Sequence, residues 1–192
     1  MTDAQLFDRL TDVFRSAGFE GASLSDLAIA TGLQKSSLYH RFPGGKAQMA
    51  AEVAERLGKR DVEQALAPLF ADGPIEARLR RVGRSLTAFY EGGAKSCLLD
   101  TMSIGAAGPD ARRALAAAAN RWIQGFARVA AESGADEAEA QIRAQDAIAA
   151  IEGALVLARV TKNTGPFARA IQQLPAVLLG THITPDHTAK ER

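Results

Sequence analysis

TGLQKSSLYHRFPGGK (residues 31–46) carries three full positive charges, at Lys35, Arg41 and Lys46, and no acid. The acid-free run is longer still, since no Asp or Glu occurs from Leu27 through Ala51 in a chain of 192 residues whose formal net charge is only +1. Gly32 supplies a permissive backbone for a sharp turn, and Pro43-Gly44-Gly45 ends the stretch. Just upstream, Ser23 and Asp26 have the Ser-x-x-Asp spacing of a capping box, in which each side chain satisfies backbone donors left open at a helix start. The pattern predicts two short helices, one to about Thr31 and one from about Lys35 to Phe42, around a glycine turn: a helix-turn-helix.

Outward from this stretch, apolar residues recur at helical spacing almost throughout, and alternating β-branched runs are absent, so the fold is expected to be all-α. Leu6, Leu10, Val13, Phe14 and Ala17 form the stripe of a first helix that Gly18 should stop. A long helix is predicted from Lys46, weakened at Gly58 and distorted by Pro68, and a second clean stripe runs from Ile75 to Tyr90 before Gly92-Gly93. A short helix is expected at about 98–106. Pro109 opens an alanine-rich helix closed by Gly134, and Asp136 caps another that runs to about Thr161. In that penultimate helix Ile142, Ile148, Ile151, Leu155, Val156 and Val160 cover more than one face, which implies a partner surface. A last helix spans Phe167 to about Leu179, with Pro175 expected to kink it or set off its final turn, and a loose tail follows.

The bulk numbers narrow the function classes. With one cysteine, Cys97, there is no intrachain disulfide framework and no cysteine-based zinc cluster, which suits a reducing cytoplasm. The opening MTDAQLFDRL lacks a basic stretch followed by an apolar run, and the nearest approach to a membrane span, AIAAIEGALVLA, is interrupted by Glu152. A cytoplasmic protein with no membrane partner is expected. The near-neutral total makes any electrostatic function local.

A helix that enters the major groove needs short or flexible polar side chains, an apolar rear face and no acids facing phosphate. The opening stretch meets all three conditions: Leu27, Leu33, Leu38 and Phe42 suit the rear, while Gln34, Lys35, Ser36, Ser37, Tyr39 and His40 project forward or sideways. A solvated helical hairpin has the same composition, so these features alone leave DNA binding open.

The run GFEGASLSDLAIATGLQKSSLYHRFPGGKAQMAAEV, with its Leu-Tyr-His-x-Phe core and the lysine that follows at the next helix start, resembles the amino-terminal signature of TetR-type transcriptional regulators. The resemblance implies a helix-turn-helix domain over residues 1–46 and a helical effector-binding and dimerisation domain over 47–192. It places Lys35 and Ser36 at base edges, Gln34 at the mouth of the recognition helix, and Ser37, Tyr39, His40 and Lys46 on phosphate. Ser23 and Ser25 fall at backbone contacts of the second helix. Gln34 stands where the family more often has Ser; glutamine is a poor helix cap but can pair with adenine. FPGGK, SCLLDTMSIGAAGPD, Trp122 before an alanine-rich run and IEGALVLARV further resemble the LmrA/YxaF-like subgroup.

That resemblance implies a homodimeric, ligand-responsive regulator, most simply a repressor, which pairs through its last two long helices and binds double-stranded, pseudo-palindromic operator DNA. The effector would be a small lipophilic or aromatic molecule. Leu86, Phe89, Tyr90, Met102, Trp122 and Phe126 are the candidate lining, although an apolar stripe is more often plain core. Arg159 has three readings: an anionic ligand, a dimer contact, or an ion pair with Glu152, whose two-turn spacing would strain a direct bridge. Cys97 reads as a packed thiol, with a sensor as the sharper alternative. His182 and His187 make a poor metal set, and neither metal nor cofactor is expected. The rival classes are a small helical enzyme and a helical adaptor. No His-Glu-x-x-His occurs, and GGAK and FPGGK lack phosphate-loop spacing, so no catalytic constellation supports the enzyme.

Overall fold

In the computed structural model, which describes residues 1–105 and 107–181 with the side chain of Asp61 excepted, every element is helical. The expected loose tail, with His182 and His187, lies outside the described residues. Three helices form the head: α1 (Asp3–Gly21), α2 (Leu24–Thr31) and α3 (Lys35–Arg41). Both ends of α2 follow the sequence chemistry. The Ser23 hydroxyl accepts from the Asp26 amide at its start, and Gly32 closes it with a left-handed backbone, φ 70°.

The chain then enters α4 (Gly45–Arg56), which passes through a π-helical segment (Leu57–Val62) into α5 (Glu63–Leu66) and a 3-10 turn (Ala67–Phe70). The two irregularities sit at the expected weak points, Gly58 and Pro68. At Gly58 there is a packing reason as well, because a Cβ would stand 3.4 Å from that of Ala118 and 2.5 Å from the Arg121 guanidinium. The body is completed by α6 (Ile75–Phe89), α7 (Leu98–Ser103), α8 (Gly108–Glu132), α9 (Glu137–Thr161) and α10 (Gly165–Leu179). Helix α8 packs along α4 on one side and α9 on the other, while α10 lies on α9 and α6. No described helix is long and apolar enough to cross a membrane.

The core is continuous from Leu6 to Leu178, with Phe14, Phe42, Phe126 and Phe167 among its fully buried side chains. Three expectations are corrected. The α1 stripe takes in Phe7 and Phe19, while Ala17 is exposed. α7 ends at Ser103, short of the expected 106. The third is the stop expected at Gly18, since α1 runs on to Gly21; α10 runs through Pro175 to Leu179, its expected end, with Leu174 and Leu178 on either side buried.

Gly18 breaks the first helix without ending it. Its backbone (φ 67°, ψ −177°) lies in a region open essentially to glycine alone, and a helical turn resumes to Gly21. A Cβ there would lie 2.8 Å from the Thr101 carbonyl oxygen of α7, so the residue also sets how closely α1 approaches the body. Gly18→Ala is expected to lower stability by about 1–3 kcal/mol or more, measured by chemical denaturation; an unchanged midpoint would show that this contact is slack.

Candidate nucleic-acid interface and internal pocket

α3 is held from behind. Leu27, Leu38 and Phe42 are fully buried, and Phe7 of α1 meets Phe42 edge-on at 6.1 Å between ring centres. Arg9 of α1 donates to the carbonyls of Ala30 and Thr31 at 3.3 Å, which satisfies the open end of α2 just before the turn. Arg41 closes the far end through an ion pair with Asp3 at 3.3 Å. These contacts fix α3 while leaving its front untouched.

On that front Gln34, Lys35, Ser36, Ser37, Tyr39 and His40 are all exposed. Among the described residues none of these side chains has a hydrogen-bond or ion-pair partner, and Gln34 makes no cap bond to the helix it opens. The Tyr39 ring lies against Gly45, whose Cβ would stand 3.3 Å from Cε1. Exposed polar groups left unpaired on a fixed, acid-free surface are free to bind an anionic polymer. Ser25 is exposed beside them.

Two residues expected in this role are already engaged. The Ser23 hydroxyl is bound to the Asp26 carboxylate at 2.6 Å, and this bond with the Ser23 amide holds the Asp26 carboxyl below its ordinary value. Lys46 is half-buried, donates to the Phe19 carbonyl at 2.9 Å, and sits 4.3 Å above the Phe19 ring centre. An ammonium has two further protons, so the anchor leaves outward bonding possible. No local sequence signal announces it, because its partner lies 27 residues away.

A second site lies inside the body, lined by Leu86, Tyr90, Trp122, Phe126, Ile148, Ile151 and Glu152. It is a narrow gap of about 10 Å³, with walls close enough to admit little more than a water-sized guest. Four of the six residues proposed from sequence meet there. Phe89 instead stacks edge-on against the outside of Tyr90, with the buried Arg15 guanidinium 5.5 Å from its ring centre, and Met102 is fully buried elsewhere in the core. Periodicity identifies a buried face and cannot separate a gap from solid packing.

The residue that sequence reading misplaced is Glu152. Arg159 does not pair with it, because Arg159 reaches Asp100 of α7 at 2.7 Å. Glu152 turns inward to a short polar chain: Tyr90 Oη donates to Cys97 Sγ at 3.4 Å, and the Cys97 thiol is hydrogen-bonded to the Glu152 carboxyl. Burial pushes the Glu152 carboxyl up, the nearby Asp100 charge adds to this, and the bond from Cys97 opposes it. Burial also raises the Tyr90 phenol well above its usual value and pushes the Cys97 thiol up to about 12. Thiol and phenol are thus neutral at ordinary pH. A signal was available, since Glu152 follows Ile148 by four residues and precedes Leu155 by three, on one helical face.

Residues 6–53 match the family of bacterial regulatory proteins described as the tetR family, and residues 74–173 match the LmrA/YxaF-like transcriptional regulator C-terminal domain. The chain is 27% identical over 182 residues to the HTH-type transcriptional regulator LmrA of Bacillus subtilis, covering 91% of this chain and 95% of that protein. It is 25% identical over 173 residues to the HTH-type regulator YxaF of the same organism, covering 86% and 89%. Its fold is similar to a TetR transcriptional regulator from Legionella pneumophila, with a TM-score of 0.79 and 16% identity over 91% of this chain and 96% of that one. It is also similar to E. coli NemR in its reduced form, with a TM-score of 0.72 and 20% identity over 91% and 95%.

Two outcomes follow from the polar chain. With its thiol raised to about 12 and buried, Cys97 should resist alkylation by iodoacetamide in the folded protein and react only on unfolding, as followed by mass spectrometry; rapid labelling of native protein would show an exposed thiolate. Because the folded Glu152 carboxyl is raised above its ordinary 4.5, it binds its proton more tightly folded than unfolded. Below that ordinary value it carries no penalty. As pH rises through the folded value, wild-type stability falls. Glu152→Gln should therefore gain thermal stability over wild type progressively above that ordinary value; a pH-independent difference in melting temperature would refute the assignment.

Proposed function

The chain belongs to the TetR family of bacterial transcriptional regulators, in its LmrA/YxaF-like subgroup, and on that premise we propose that it is a homodimeric repressor that leaves a pseudo-palindromic operator when a small lipophilic or aromatic molecule enters the pocket beside Trp122. What carries the reading is the front of α3: six exposed side chains, Gln34 to Ser37 with Tyr39 and His40, unpartnered among the described residues, on an acid-free surface whose rear is locked into the core. Lys35 and Ser36 read base edges; Ser25, Ser37, Tyr39 and His40 hold phosphate, with Ser23 and Lys46 contributing there while serving as internal anchors.

The dimer contact is assigned to α9 with α10. The outer face of α9 exposes Ile142, Leu157 and Val160, and a Cβ on Gly153 between them would meet nothing within 4 Å. A glycine inside an exposed helix costs about 1 kcal/mol, which is offset if a partner helix crosses closely there. Two subunits paired this way present their reading helices about 34 Å apart, one turn of DNA.

The wall of the pocket is continuous with the segment that touches α1. Beyond Tyr90, Lys95 pairs with Asp12 at 3.2 Å, and Arg15 lies over Phe89. A guest that shifts Tyr90 thus moves α1, which carries α2 and α3. Such coupling, at about 1–3 kcal/mol, changes operator affinity roughly 5- to 150-fold. The chain is read as having no enzymatic activity.

Footprinting on intergenic DNA beside the gene should reveal a two-fold symmetric protected site, lost on addition of an active aromatic compound. Lys35→Ala should weaken that binding by about 1–3 kcal/mol and relax base preference at one position in each half-site. Undiminished, equally selective binding would remove Lys35 from the interface, and absence of any protected site would remove the repressor reading.

A further inference from the structure

The polar chain in the pocket ends on an atom with nothing to hold. Tyr90 donates to Cys97 and Cys97 to Glu152, so the direction of donation runs toward the carboxyl, and one oxygen of that group, Oε2, is buried with no hydrogen-bond partner among the described residues. Leaving a buried acceptor unsatisfied is costly, and native proteins rarely do so without a use for it.

Among the described residues no cation neutralises this carboxyl. The arginine on the same helix, Arg159, is turned away to Asp100, and Arg15 is held between Asp12 and the Phe89 ring. The α6 and α8 walls bring Leu86, Trp122 and Phe126, all uncharged. Trp122 and Phe126 stand 5.6 Å apart between ring centres, and Tyr90 faces the same space. Aromatic faces around a carboxyl whose Oε2 is buried form a surrounding that attracts positive charge from both the rings and the oxygen.

We propose that the pocket selects a lipophilic monocation: a protonated amine whose N–H donates to Glu152 Oε2 while its apolar part lodges among Leu86, Trp122 and Phe126. As it stands the gap has room for about one water, so a guest of one ring and a short chain enters only by parting these walls. An anionic guest is excluded by Glu152, and a neutral guest without a donor leaves Oε2 bare. The assignment rests on the reading of this cavity as the effector site, and the test separates the two.

The chain has one tryptophan, Trp122, so fluorescence excited selectively in tryptophan reports on this pocket. Titration of the wild-type protein with phenylbutylamine, phenylbutanol and phenylbutyrate compares one shape in three charge states. The amine is expected to bind at least about tenfold more tightly than the alcohol, and the butyrate least. In Glu152→Gln, with folding verified by circular dichroism, amine and alcohol should bind alike. If the alcohol or butyrate matches the amine in wild type, the pocket stands as a ligand site and selection of a cation is refuted. If none of the three perturbs Trp122, the cavity is not an accessible site and both readings fall. The wild-type comparison needs no variant, so a misfolded Glu152→Gln would not rescue the idea.

Discussion

Helix α1 has to satisfy two packing partners at once, and the positive-φ backbone at Gly18 is what allows it. Along its first two turns α1 faces the head, through Phe7 on Phe42 and Arg9 on the end of α2. At its end it faces the body, through Arg15 on Phe89, Gly18 against Thr101, and the Phe19 carbonyl on Lys46. A straight helix would carry Phe19 off the core. The break returns its ring to the interior, stacked with Phe14 at 6.4 Å between centres. Buried aromatic pairs contribute about 0.5–1.5 kcal/mol beyond their area, whereas exposed ion pairs such as Arg41 with Asp3 or Arg60 with Asp8 contribute about 0–1. The ring contacts therefore outweigh the ion pairs, Phe7 on Phe42 holding the head and Phe14 on Phe19 holding the end of α1 in the shared core.

How much of this was legible in the sequence depends on the range of the interaction. The capping box at Ser23 and Asp26, the turn at Gly32 and the weak points at Gly58 and Pro68 are local chemistry, and each appears where the residues place it. The front and rear of α3 follow from a seven-residue helix with only Leu38 buried inside it. What did not show was non-local. Lys46 reads as a free cation until Phe19 is brought beneath it, and Arg159 looks like a partner for Glu152 until α7 offers Asp100. Phe89 and Met102 satisfy the same helical period as Leu86 and Trp122, yet one covers the outside of Tyr90 and the other is solid core. The inward turn of Glu152 was legible from its place between Ile148 and Leu155, and was hidden by the habit of pairing a charge with the nearest opposite one.

Tyr90 connects the two sites. It ends α6, packs edge-on against Phe89 and Phe167, begins the polar chain through Cys97, and lines the cavity. The turn after it is fixed as well, since a Cβ on Gly93 would meet the Phe167 side chain at 2.8 Å. With α10 pressed on this turn and α1 tied to it through Lys95, a displacement of Tyr90 has no slack in which to dissipate. In the proposed regulator, that rigidity joins a change among buried side chains to the orientation of α3.

The energetics then decide what kind of guest can drive such a change. The cavity walls already touch one another, so a wholly apolar guest mostly exchanges one set of apolar contacts for another and gains little beyond its own transfer from water, about 25 cal/mol per Å². That gain lowers the free energy of the occupied state but does not by itself distinguish between conformers of the head. Glu152 is different, because its unpaired oxygen penalises the closed, empty arrangement by about 1–3 kcal/mol. A guest that both opens the walls and satisfies that oxygen removes the penalty, and it favours whichever arrangement of the walls lets it do so. The size of this term matches the 1–3 kcal/mol range typical of coupling between a ligand site and a distant one. In the proposed regulator, one carboxyl with a buried, unpaired oxygen would thus supply a term of the same order as that coupling.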